Sequence, residues 1–282
     1  VLDGAITVDK LIKKAVELGM PAIAVTDHGN MIGAVDFYIK AKKANITPIV
    51  GQEFYMAPGS RFNKEFTRDS DIEKSYHLIL LAKNNQGYKN LMKLSSIGFI
   101  DGFYYKPRID FEVLEKYSEG IICSSACIAG EIPRAILKGK PSEARKLAGK
   151  FNEIFGKDHF YLEMQDHGLK EQKIVNKELI KISNELNIPL IASNDAHYLN
   201  REDHYSHEVL LCIQTGKTMN DTNRMRFSSN EFYIKSAEEM FSLFSETPDA
   251  LYNTYKIYEM MDLHIDLGNP ILPNFEVPDG FN

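Results

Sequence analysis

Three things are scarce in this sequence: cysteine, long apolar runs and surplus positive charge. Cys123, Cys127 and Cys212 are the only cysteines. An odd number of thiols cannot all pair, so reduced thiols in a cytoplasmic compartment are expected. No apolar run approaches the roughly 20 residues of a membrane-spanning helix. The first residues carry no signal-peptide pattern either, so no membrane partner is expected. Lysine and arginine number 33 against 39 aspartates and glutamates, a net charge of -6. Nucleic acid is gripped largely by Lys and Arg neutralising phosphates, so any DNA contact has to be local or lent by neighbouring chain. Internal repeats and low-complexity segments are absent as well.

What is present is the balance of an ordinary soluble protein, 44% hydrophobic and 26% charged over 282 residues. A chain of this length buries roughly three quarters of its unfolded surface and needs no staple. Helical spacing runs through Val8, Leu11, Ile12 and Ala15, with Thr7 as N-cap and Gly19 as stop. It returns from about Met31 (Ala34, Val35, Tyr38, Ala41), from Asn85 to Ser96, from Ser142 to Gly156, and through Val175, Leu179, Ile182 and Leu186. Between these lie short continuous apolar runs of strand type: 22–25, 48–50, 76–82, 120–123, 160–164 and 188–192. Such alternation predicts a parallel sheet covered by helices. Residues 58–74 read as a polar surface insertion and 98–110 as an irregular aromatic stretch. Past Tyr198 the pattern turns mainly helical (204–215, 237–244, 248–261), with one further strand expected at 231–234. Residues 1–268 read as one barrel with a C-terminal helical extension, and 269–282, with Pro270, Pro273 and Pro278, as a linker.

Metal-type donors collect where these strands end. Asp27 and His28, Glu53, Cys127, Asp166 and His167, and Asp195 and His197 all follow strand C-termini. In a parallel barrel those ends open onto one mouth, the usual active-site face. His77 is the exception: it lies at a strand start and needs a loop to bring it in. Asp195 and His197, two apart in an extended chain, point the same way and suit a divalent cation. Each residue also has a plainer reading. Asp195 fits a helix cap and His197 packing; Glu53 a solvated carboxylate; His77 a core histidine; Cys127 a buried thiol. Asp27 and His28 are neighbours, so one faces the mouth; His28 is assigned as ligand, with Asp27 orienting it or capping the next helix. His167 is open between the two readings. His159, His204, His207, His264 and Cys212 are read as structural. Lys106 and Arg108 fit phosphate contact or plain solvation.

Read together, Leu2-Asp3-Gly4, Thr26-Asp27-His28-Gly29-Asn30, Gly51-Gln52-Glu53, Tyr76-His77-Leu78, Ser125-Ala126-Cys127 and Asn194-Asp195-Ala196-His197-Tyr198 resemble, in order, the PHP (polymerase and histidinol phosphatase) family. Gly33-Ala34-Val35-Asp36-Phe37-Tyr38, Tyr105-Lys106-Pro107-Arg108 and Leu210-Leu211-Cys212-Ile213-Gln214-Thr215-Gly216 are similar to the family branch found in bacterial replicative DNA polymerases. The resemblance implies an α/β fold, a distorted (β/α)7 TIM-like barrel. It also implies up to three divalent metal ions, zinc foremost with manganese or iron as alternatives. The ligand positions map onto Asp3, His28, Glu53, His77, Cys127, Asp195 and His197, and Asp27 and Arg108 are expected as the catalytic residues beside them. The family's His-x-His just before Leu-Asp-Gly is not in this chain, which starts at Val1; two ligands and the first strand are therefore expected to be missing. Implied partners are the remainder of a polymerase chain, a proofreading exonuclease subunit, and DNA through the intact polymerase. Two functions stay open: a metal-dependent phosphoesterase or 3′→5′ exonuclease, and an inert barrel that braces the polymerase and docks the exonuclease. A free-standing histidinol-phosphate phosphatase is a third, at odds with the proline-rich exit.

Overall fold

The computed structural model describes residues 3–65 and 73–269. Helix α1 (Val8–Glu17) buries Leu11, Ile12 and Ala15, as its 3.6-residue spacing requires. Strand β1 (Ala22–Val25) follows, then α2 (Ala34–Lys43) with Phe37, Tyr38 and Ala41 inside. Strand β2 (Thr47–Met56) is buried along nearly its whole length and runs well past the Pro48–Val50 core expected of it. Next come β3 (Tyr76–Ala82) and α3 (Asn85–Ile100), whose first turn is capped by the Asn84 side chain accepting from Gly87 N. The stretch expected to be irregular hides a two-residue strand, β4 (Arg108–Ile109), and Asp110 then caps α4 (Phe111–Lys116). Strand β5 (Ile121–Ser124) leads to α5 (Glu131–Leu137), too short to announce itself by periodicity, and α6 (Pro141–Phe155). The rest is β6 (Phe160–Met164), α7 (Lys170–Leu186), β7 (Leu190–Ala192), α8 (His204–Thr215), α9 (Ala237–Leu243) and α10 (Asp249–Glu259). The strand expected at 231–234 reduces to one bridge, Tyr198 to Tyr233. Residues 66–72 of the expected insertion and 270–282 of the expected linker lie outside the described residues.

The strands form one sheet in the order β1-β2-β3-β5-β6-β7, with β4 on β2. The expectation of an all-parallel sheet is corrected: β3 runs antiparallel to both β2 and β5, while the other pairs are parallel. The physical cause lies in the connection. A parallel neighbour needs a crossover, and no helix separates β2 from β3 among the described residues, so the chain folds straight back. Among those residues β7 does not pair with β1, and the architecture is a distorted, partly open α/β half-barrel.

One layer of side chains fills its floor: Ile49 from β2, Leu81 from β3, Ile122 from β5, Tyr161 from β6 and Ile191 from β7, closed by Ile257 of α10. Side chains on a strand return to the same face every second residue. The face that carries this floor therefore also carries Gly51 and Glu53 on β2, Ile79 and His77 on β3, Ser124 on β5, Glu163 on β6, and Ser193 just past β7. Polar residues of distant segments are thus stacked above an apolar plug. On the outer face Phe54, Leu80, Phe151, Phe160, Leu162 and Leu179 form the main core beneath the helices. No described helix is long and apolar enough to cross a membrane.

Candidate metal centre

Glu53 is the hub of the rim. Its strand is flanked on one edge by β1 along Thr47–Val50 and by β4 at Tyr55 and Met56, which leaves a gap at Glu53 itself. The Asp27-His28-Gly29 segment fills that gap: Glu53 N donates to Asp27 O (3.1 Å) and Gly29 N to Glu53 O (2.8 Å). Backbone pairing therefore sets His28 beside Glu53, and its Nδ1 meets Glu53 Oε1. Gly29 permits this turn. It sits at φ +67°, and a Cβ there would lie 2.9 Å from the Tyr55 ring.

The reversal of β3 brings in His77. Because β3 starts where β2 ends, with Tyr55 opposite His77, the start of this strand lies on the same rim as the ends of the others. No extra loop is needed. His77 Nδ1 lies 2.9 Å from Glu53 Oε1 and 3.6 Å from Cys127 Sγ. Cys127 is held there by a tight turn: Gly130 N donates to Cys127 O (2.8 Å) and His77 N to Ala129 O (3.1 Å). A Cβ on Gly130 would come within 2.2 Å of Ser125 O, so only glycine fits. The ligand atoms of Glu53, His77 and Cys127 all lie within 4.8 Å of one another.

Further donors surround this triad. His28 Nε2 is 3.1 Å from Asp3 Oδ2. The His197 ring centroid is 6.0 Å from that of His28. Asp195 Oδ1 lies 3.9 Å from His197 Nδ1. The segment beyond β7 is not extended, as the alternation argument assumed: Asp195 has φ +43°, and His197 Nδ1 turns back to the Asp195 carbonyl (2.8 Å). Asp27 stands exposed at the edge of the group, its carboxyl pushed up by burial of its surroundings despite His28.

The electrostatics suit a cation. Burial raises Glu53, but hydrogen bonds from His28 and His77 outweigh it and hold the carboxyl at about 2. Burial lowers His28, yet the bonds to Asp3 and Glu53 hold it at about 10. Cys127 is pushed well up by burial and by the Asp195 and Glu53 carboxylates. Negative charge dense enough to keep a half-buried histidine protonated is equally a well for a metal ion. Carboxylate oxygen, imidazole nitrogen and thiol sulfur together form a mixed set of zinc type. The residues fit the group.

Arg108 does not reach the rim. It is fully buried, and its guanidinium donates to the carbonyls of Gly102 (3.1 Å), Lys74 (3.3 Å), Arg61 (3.2 Å) and Asn63 (2.8 Å). Instead of meeting a phosphate, it pins the loops flanking β4. Lys106 is the exposed cation nearby, its ammonium 5.1 Å from the Tyr55 ring. His167 is a packing residue: it stacks on Phe232 at 3.8 Å, and its Nε2 donates to Asn194 O at 2.8 Å. His207 likewise supports the backbone, its Nε2 lying 2.7 Å from Asp3 O. Two buried ionisable residues beside the rim escaped the sequence reading. Glu163 accepts from Ser124, Ser193 and Gln165, and Lys235 reaches Asn194. Their only signal was a charge inside an apolar run, in Phe160-Tyr161-Leu162-Glu163-Met164 and Phe232-Tyr233-Ile234-Lys235.

Known proteins bear on this geometry. The chain is 53% identical over 283 residues to a DNA polymerase III subunit alpha from Borreliella burgdorferi, covering 100% of this chain and 24% of that protein. It is 44% identical over 281 residues to the same subunit of Treponema pallidum, again covering 100% of the chain and 24% of the relative. The chain thus spans about a quarter of the length of the relatives it matches. Among solved structures, an amidohydrolase from Chromobacterium violaceum aligns at 11% identity with a TM-score of 0.44, over 69% of this chain and 84% of that one. The model of the PHP domain matches residues 1–167, well over half of the sequence and the segment holding Asp3, His28, Glu53, His77 and Cys127, and the chain belongs to the PHP family.

Proposed function

We propose that this chain is the PHP domain of a bacterial DNA polymerase III alpha subunit, working in DNA replication in the cytoplasm. In this reading its rim is a metal-dependent phosphoesterase centre acting on DNA 3′ ends. One observation carries the proposal: a single buried carboxylate oxygen, Glu53 Oε1, faced by two imidazoles, with a thiol within 4.8 Å. The ligand set would be Asp3, His28, Glu53, His77, Cys127, Asp195 and His197, holding zinc, or manganese or iron, with up to three ions in a complete site. A divalent ion there supplies Lewis acidity toward a phosphoryl oxygen and lowers the pKa of water.

The chain's own residues set the geometry. Glu53 orients both rings through one oxygen, and the Asp195 carbonyl occupies His197 Nδ1, which leaves Nε2 to coordinate. Asp27, exposed at the edge, exchanges protons with solvent as water adds to phosphorus and the P–O3′ bond breaks. The substrate's negative charge has a local answer on this acidic chain. Lys10, Lys13 and Lys14, three lysines against Glu17 and Asp203, line a groove of about 420 Å³ whose wall includes Ala5 and Leu199. Ala5 N donates to His197 O, which ties that wall to the rim.

A second reading, a barrel bracing the rest of a polymerase and docking an exonuclease subunit, is favoured by Phe62, Phe99, Ile100, Phe103 and Tyr105, all exposed. Phe99 and Phe103 stack at 6.2 Å, and exposed aromatic surface is typical of protein interfaces. Elemental analysis and a 3′→5′ hydrolysis assay on the full-length protein separate the two. Bound metal and hydrolysis, both lost in His77→Ala and Cys127→Ala, are expected. Metal-free, inactive full-length protein would leave only the bracing role.

A further inference from the structure

The rim is built on two arms: β2 and β3 carry Glu53 and His77, whereas Asp195 and His197 follow a three-residue strand and have no strand of their own to hold them. Asp195 moreover adopts φ +43°, a left-handed conformation uncommon outside glycine though more accessible to aspartate than to most residues, and neighbouring contacts hold it there.

The constraint converges on the preceding residue. The Asn194 carbonyl accepts from His167 Nε2 (2.8 Å), and its side-chain amide donates to Tyr233 O. Its side-chain oxygen accepts from Lys235 Nζ at 3.1 Å. That ammonium is almost wholly buried, the Lys235 side chain being 2% exposed. It also donates to Glu231 O, sits 3.5 Å from Glu231 Oε2, and lies 4.1 Å from the centroid of the Tyr233 ring. A buried lysine is costly even when paired, and an apolar side chain of the same volume would pack this position more cheaply. What the ammonium does there is fasten the segment 231–235 to the residue before Asp195. The same segment holds the far end of the arm, since His197 N donates to Phe232 O at 2.8 Å.

We propose that Lys235, acting through Asn194, is the positioning residue that sets the Asp195–His197 arm against Glu53, His77 and Cys127 before a metal arrives. The inference rests on the metal-centre reading above and extends it to a residue about 40 positions downstream of the arm it holds. Groups that orient ligands without touching the ion commonly change affinity about 10–100-fold when removed.

The test uses full-length protein and Co²⁺ as the probe, titrated by its visible absorption. Lys235→Met and Asn194→Ala should each weaken Co²⁺ binding at least tenfold. Asn253→Ala, which removes the bond from Asn253 Nδ2 to Leu190 O at the start of β7, should lower stability and leave affinity unchanged. In metal-free protein the amides of residues 195–197 should exchange faster in Lys235→Met than in wild type, a readout that stands even if one variant folds poorly. Wild-type affinity and unchanged exchange in both arm variants would overturn the proposal. Should wild type itself take up no Co²⁺, the metal centre falls, and the exchange rates still report whether Lys235 orders the arm.

Discussion

Replacing Glu131 with glutamine should stabilise the protein strongly at pH 8 and only slightly at pH 5. Glu131 opens α5 immediately after Gly130, the residue whose backbone bridges His77. Burial, with Glu143 beside it, pushes its carboxyl up from 4.5 to about 7, and among the described residues its buried Oε2 has no hydrogen-bond partner. The folded form therefore holds the proton more tightly than the unfolded chain. That contribution to stability is complete below about pH 4.5 and is lost as pH rises through about 7. At 1.36 kcal/mol per unit, the span from 4.5 to about 7 caps the loss at about 3 kcal/mol. Glutamine escapes this penalty but forfeits the favourable interaction of an anion with the first turn of α5, about 0.3–1 kcal/mol. The net expectation is a gain of about 2–3 kcal/mol at pH 8 and under about 1 kcal/mol at pH 5. Urea unfolding midpoints of the two proteins at both pH values measure it directly. A gain of equal size at pH 5 and pH 8, or none at pH 8, would refute the assignment of a raised carboxyl to Glu131.

Arg108→Met should cost about 3 kcal/mol, because four carbonyls, those of Gly102 and Arg61 in buried bonds, lose a charged donor, yet leave metal uptake intact; thermal melting and elemental analysis read the two effects apart. Gly29→Ala forces a Cβ to 2.9 Å from the Tyr55 ring at φ +67°. It should destabilise by about 1–3 kcal/mol and reduce metal uptake together, since the same turn carries His28. Cys127→Ser exchanges a soft donor for a hard one, so zinc and cobalt affinity should drop and the sulfur-to-cobalt charge-transfer absorption should vanish. Stability without metal should barely change, because the thiol's contact with His77 is a long 3.6 Å.

The helices were readable where their apolar faces repeat. Leu11, Ile12 and Ala15 on α1 and Val175, Leu179 and Ile182 on α7 are buried as their spacing demanded. What the spacing could not carry was direction. An apolar run such as Tyr76–Ala82 reads the same whether it pairs parallel or antiparallel, and His77 looked misplaced only while β3 was taken to run with its neighbours. Arg108 shows the same limit for side chains. A basic residue in a polar loop reads as solvated, and only the folding of residues 61–63, 74 and 102 around it turns it into a buried clip. Short elements such as β4 and α5 escape for a related reason: two to seven residues are too few to establish a period.

By itself the sequence determined the alternation of strands and helices and the donor types placed near strand ends, because both are written in residues adjacent along the chain. Tertiary structure alone decided that β3 reverses, that His28 and His77 share one oxygen of Glu53, and that Lys235 is buried against Asn194. Those contacts join residues 24 to 41 positions apart, and their geometry depends on how the intervening chain turns. Local periodicity reports which face of an element is apolar; it holds no record of which other element that face will meet.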